Sequence, residues 1–138
     1  MPAMRTLTRL AFLLALGLAS PAAAAEPAWS ELAAEDVVTV VTRNEDGSAR
    51  ETKVWIVEVD GKAYMRTGNT RWYRNVARDP EVGLRAAGQE LALRATPVED
   101  DALRARIEST FAAKYGFTDR LRGWFVWGRS NIMELGPR

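Results

Sequence analysis

The sequence predicts a mainly β (α+β) domain: a small antiparallel barrel of six strands with one long helix and two short ones. Three observations carry that prediction. Runs rich in β-branched residues recur at hairpin spacing, divided by the turn signals Asp46-Gly47, Asp60-Gly61 and Ala87-Gly88. One late stretch, about Glu99 to Tyr115, repeats its apolar residues at helical spacing through Leu103, Ile107 and Phe111. The strands otherwise follow one another directly, without the alternating helices that a parallel βαβ sheet requires.

The first 25 residues read as a secretory signal. Arg5 and Arg9 supply a positive start, Leu10 to Ala19 is a short apolar run, and Ala23 and Ala25 form an A-x-A cleavage site. The apolar run is too short to span a bilayer comfortably. The expectation is therefore Sec-type export to the periplasm or beyond, cleavage after Ala25, no membrane anchor afterwards, and a single domain over residues 26–138.

Within that domain Ser30 can cap a short helix over Glu31 to Glu35, and Val37 to Arg43 (VVTVVTR) is a strand. A second strand runs from Arg50 to Val59. Trp55, Val57 and Val59 share one face, while Arg50, Thr52, Val54 and Ile56 share the other. Both faces are apolar at the centre, so the strand belongs to a closed or covered sheet. Lys62 to Thr67 is the third strand, and a short helix from Thr70 is stopped by Asp79-Pro80. Strands at Val82 to Ala86, Leu91 to Val98 and Ile132 to Leu135 complete the set. Glu99, Asp100 and Asp101 suit the start of the long helix, Lys114 suits its end, and Gly116 suits the position just past it.

Composition excludes several functions. There is no cysteine and no histidine, which removes disulfides, Ser-His-Asp and Cys-His catalysis, and most zinc, copper, iron and haem sites. Without Arg5 and Arg9, the 19 basic residues fall to 17 against 18 acids, a net charge of −1. That balance argues against a nucleic-acid binder.

Against it, one basic stretch stands out. From Arg66 to Arg78 there are four arginines and no acid. Arg71, Arg74 and Arg78 fall at i, i+3 and i+7 on one helical face, with Trp72 and Val76 on another. Thr70 is a good N-cap, a helix start favours anions, and guanidinium matches phosphate geometry. Two readings stand: an anion cradle at a strand-to-helix junction, or a solvated basic face on a connecting helix. Thr67 and Asn69 could serve either the ligand or the turn itself. Trp55, Trp72, Trp124 and Trp127 could wall a flat ring or pack in a core or interface.

The pattern R-x-T-x-V-W-x-V…D-G…Y-x-R-T…W-Y-R-N, from Arg50 to Leu84, resembles the FMN-binding split β-barrel superfamily. That group includes pyridoxamine-phosphate-oxidase-like flavoproteins and deazaflavin-dependent nitroreductases, and the likeness is greatest to an uncharacterised, 2255-type domain-of-unknown-function branch. The fold implied is a six-stranded antiparallel split β-barrel. The cofactor implied is FMN or a related phosphorylated flavin, bound by a homodimer. Carried over residue by residue, Arg50, Thr70, Arg71 and Arg74 would meet the phosphate. Thr67 and Asn69 would lie beside it, and Trp124 and Trp127 would stand on the ring side. Trp72 and Trp55 depart from the pattern, standing where basic residues are usual. A flavin-dependent reductase is the activity implied; the other class is a binding or structural domain that keeps the barrel without flavin.

Overall fold

A computed structural model describes residues 28–116 and 130–138. The predicted leader, and the connector holding Trp124 and Trp127, lie outside the described residues. The elements run α1 (Trp29–Leu32), β1 (Val38–Arg43), β2 (Ala49–Val54), β3 (Ile56–Val59), β4 (Lys62–Thr67), α2 (Arg71–Arg78), β5 (Glu81–Ala86), β6 (Gln89–Pro97), α3 (Asp101–Tyr115) and β7 (Asn131–Pro137).

Every strand pairing is antiparallel, in the order β2-β1-β5-β6-β7-β4-β3. The two outermost strands of that order, β2 and β3, are consecutive in the chain and separated only by Trp55. The sheet therefore curls until both its ends fall on one bent segment, which is how a sheet removes exposed edges. Among the described residues seven strands replace the six expected, because the Arg50–Val59 segment breaks at Trp55. Val54 pairs with Val38 on β1, whereas Ile56 pairs with Met65 on β4. One segment cannot stay regular while changing partners.

Two apolar cores follow from the alternation of side chains. The barrel interior holds Val38, Val40, Val54, Ile56, Met65, Leu84, Leu93, Met133 and Leu135, closed at one side by Trp72 and Val76 of α2. The other core lies under α3, where Val57, Tyr64 and Ile132 meet Ile107 and Phe111. Strands β3, β4 and β7 are thus buried on both faces, as the double apolar pattern around Val57 implies.

The helices start where local chemistry allows. Asp100 caps α3, its carboxylate accepting from the Leu103 amide at 2.8 Å, so the helix begins two residues later than Glu99. In α1, Ala28 occupies the cap position and no side chain caps it, so Ser30 lies inside the helix rather than before it. Burial of Trp29 and Leu32 places that turn.

Candidate anion site at the β4–α2 junction

Strand β4 ends at Thr67, and Gly68-Asn69 turns the chain into α2. Asn131 at the start of β7 donates to the Gly68 carbonyl at 3.2 Å and ties the turn to the sheet. Thr70 takes the extended backbone of an N-cap (φ −89°, ψ 167°), and its hydroxyl accepts from the Tyr73 amide at 3.4 Å. The Thr67 and Thr70 hydroxyls meet at 3.1 Å. Arg74 folds back over the turn, donating to the Asn69 carbonyl at 3.1 Å. Thr67, Asn69, Thr70 and Arg74 are thus joined in one cluster. The first-turn amides of Arg71 and Trp72 have no intrahelical acceptor.

Arg71 is exposed in that first turn, and its guanidinium makes no hydrogen bond or ion pair among the described residues. The arginines at the two ends of the run, Arg66 and Arg78, are committed elsewhere. Arg66, with a side chain only 14% exposed, pairs with Glu108 and lies 4.5 Å from the centre of the Phe111 ring. Arg78 donates to the Arg43 carbonyl at 2.6 Å and faces Glu45 at 3.6 Å. Arg66 therefore belongs to the α3 side of the barrel, because adjacent strand residues point to opposite faces and Met65 points into the core.

Arg50 reaches α2 at the level of its middle turn. Its Nε donates to Asn44 Oδ1 at 3.2 Å, and the same oxygen accepts from Asn75 Nδ2 at 2.9 Å. Asn75 also donates to Thr42 Oγ1 at 3.1 Å; both residues are 3% exposed. Sequence reasoning missed Asn75 and Asn44. A signal existed: asparagine is a poor helix former, yet Asn75 sits between Trp72 and Val76 on the inward side of α2.

Neither departing tryptophan faces the cluster as a ring wall. Trp72 is 4% exposed and packs into the barrel core, whereas Trp55 stacks on Tyr115. Burial raises the Tyr115 and Tyr64 phenols above their ordinary range, Glu134 adding to the effect at Tyr64, and burial lowers the Lys114 ammonium. Among the described residues no group of three or more His, Cys, Asp or Glu side chains could hold a metal ion, and no helix is long and apolar enough to cross a membrane.

The family described as "Uncharacterized protein conserved in bacteria (DUF2255)" matches residues 29–127. No curated protein matches the chain. Among solved structures, HutZ, the heme storage protein from Vibrio cholerae, superposes with a TM-score of 0.64 at 17% identity, covering 79% of this chain and 87% of that one. A putative pyridoxamine 5'-phosphate oxidase from Listeria innocua gives 0.58 at 15%, covering 79% and 89%. An F420-H2 dependent reductase, FDR-A, gives 0.58 at 19%, covering 73% and 94%. At these identities the likeness shows the fold, a split β-barrel.

Proposed function

We propose that this chain, which belongs to the DUF2255 family, is an exported split-barrel protein that binds FMN or a related phosphorylated flavin, a deazaflavin included, at the β4–α2 junction. The observation that carries the reading is Arg71: an exposed arginine on the first residue of a helix capped by Thr70, whose hydroxyl meets that of Thr67, with no ion pair among the described residues. Such a donor set fits a phosphate. Arg71 and Arg74 would hold it, with Thr70, Thr67 and Asn69 beside them and Arg50 on the flank. When bound, a flavin supplies hydride or electron transfer, and the protein supplies position and electrostatics. The activity is then that of a flavin-dependent reductase.

The names of two neighbours, a pyridoxamine-phosphate oxidase and an F420-H2 dependent reductase, support a flavin-type ligand. Haem, which the name of HutZ carries, fits less well, because the chain has neither histidine nor cysteine to offer iron. The reading includes a homodimer, checked by sedimentation, and a cleaved leader, checked by the mass of periplasmic material. A Sec-type leader delivers an unfolded chain, so the flavin would be acquired outside the cytoplasm.

A second reading, a binding or structural domain without flavin, is favoured by the tryptophans. Trp72 and Trp55 stand where the resemblance has basic residues, and packing occupies both. One experiment separates the two. FMN and riboflavin are titrated into the protein and flavin fluorescence is followed. Quenching by the protein that is stronger for FMN supports the phosphate site; no change with either flavin supports the domain without cofactor.

A further inference from the structure

We propose that Asn75 is a positioning residue for the anion site: acting through Asn44, it holds the Arg50 guanidinium against the face of α2 that carries Arg71. The inference rests on the phosphate reading given above. Asn75 is buried in mid-helix between Trp72 and Val76, where packing alone would favour an apolar residue. Its amide is fully used. Nδ2 donates to Thr42 Oγ1 and Asn44 Oδ1, and Oδ1 accepts from Arg78 Nη2 at 3.2 Å. Satisfied buried amides of this kind fix one orientation of the elements they join, because any other leaves a donor without a partner.

Asn44 is itself fixed by the β1–β2 turn. Its amide donates to the Ser48 carbonyl at 2.9 Å, and its Nδ2 donates to the Ser48 hydroxyl at 3.1 Å. A single oxygen, Asn44 Oδ1, then joins the strand-borne Arg50 to the helix. That bond uses only Nε of Arg50. Its two terminal nitrogens make no hydrogen bond among the described residues, so the outer edge of the fork remains available to an anion. Arg71 lies one turn before Asn75 on the same helical face, a rise of about 6 Å along the axis. Without the Asn75 amide, Arg50 keeps its charge but loses its tie, through Asn44, to α2.

The test is a double-mutant cycle on the full chain, with FMN and riboflavin as probes and flavin fluorescence as the readout. Asn75→Ala and Arg50→Ala are each expected to weaken FMN about tenfold, leave riboflavin within about twofold, and together come within about twofold of Arg50→Ala alone. Losses that multiply, an equal loss for both flavins, or wild-type FMN affinity in Asn75→Ala overturn the inference. If Asn75→Ala does not fold, Asn44→Ala interrupts the same relay from the half-buried turn and is held to the same outcomes. Failure of the phosphate reading looks different: the unaltered chain then binds FMN no better than riboflavin, and the inference falls with it.

Discussion

The indole of Trp55 lies flat against the phenol ring of Tyr115, with ring centroids 4.0 Å apart and planes 5° from parallel. Trp55 is the point where the chain leaves β2 for β3, and Tyr115 is the last residue of α3. The stack therefore fastens the helix end to the seam of the barrel. Tyr115 adds polar ties: its hydroxyl donates to the Asp36 carbonyl at 2.9 Å and accepts from the Ile56 amide at 3.1 Å. Next to it, Lys114 Nζ donates to the carbonyls of Ala33, Glu35 and Ile56 at 2.6, 2.6 and 2.8 Å. One turn of α3 thereby ties the segment after α1 to the start of β3.

Removing the Tyr115 hydroxyl tests that clasp. Tyr115→Phe keeps the stack and loses both hydrogen bonds, so it should cost about 1–2 kcal/mol in urea unfolding at neutral pH. Its pH dependence has a definite sign. Burial raises the folded-state pKa above the ordinary 10.0, so this stabilisation is complete below pH 10 and is lost as pH rises through the folded value. Lys114, shifted downward from 10.5, contributes the opposite slope, and Tyr64 adds to the downward one. The measurement is therefore the difference in stability between wild type and Tyr115→Phe, which should shrink as pH rises above 10.

Arg71→Ala combined with Arg74→Ala should weaken FMN at least about tenfold, since each charge-assisted hydrogen bond contributes roughly 1.5–3 kcal/mol. Riboflavin, which lacks the phosphate, should be little affected. Equal FMN affinity in the double variant, measured by fluorescence titration, would remove both residues from the site.

Thr70→Ala should destabilise α2 by about 1 kcal/mol through loss of the cap to Tyr73. Thr70→Ser should restore most of that stability, because a serine hydroxyl can cap equally well. Thermal unfolding of the three proteins decides the point; a serine variant no better than alanine would show that the threonine methyl, and not the cap, matters.

Phe111→Ala should cost about 3–5 kcal/mol in denaturant unfolding. The ring is fully buried between α3 and the outer face of β3, β4 and β7, and it also lies under Arg66. A loss below about 1 kcal/mol would mean that α3 is not part of the cooperative core.

The elements were legible where they rest on local chemistry. Asp60-Gly61 and Ala87-Gly88 turn where the sequence announces them, with positive φ at all four residues. Thr70 caps α2 as its residue type suggests, and Ile107 and Phe111 form the buried stripe of α3. The cluster of Thr67, Asn69, Thr70 and Arg74 was equally readable, because its members lie within eight residues of one another. Arg66 and Arg50 were harder. Their surroundings come from Glu108, Phe111 and Asn44, and only Asn44 is near either of them in sequence.

Sequence alone determined the β-rich composition of the fold, its turns, the cap of α2 and the acid-free run of arginines, since each depends on backbone preference or on neighbours a few residues away. Tertiary structure decided that Trp55 divides one strand between two partners, that Arg66 turns toward α3, and that Asn75 bonds to the β1–β2 turn. Those outcomes depend on sheet closure, which brings β2 and β3 to opposite ends of one curled sheet and sets distant side chains at hydrogen-bonding distance. No local pattern encodes such a distance, because it exists only once the sheet has curled.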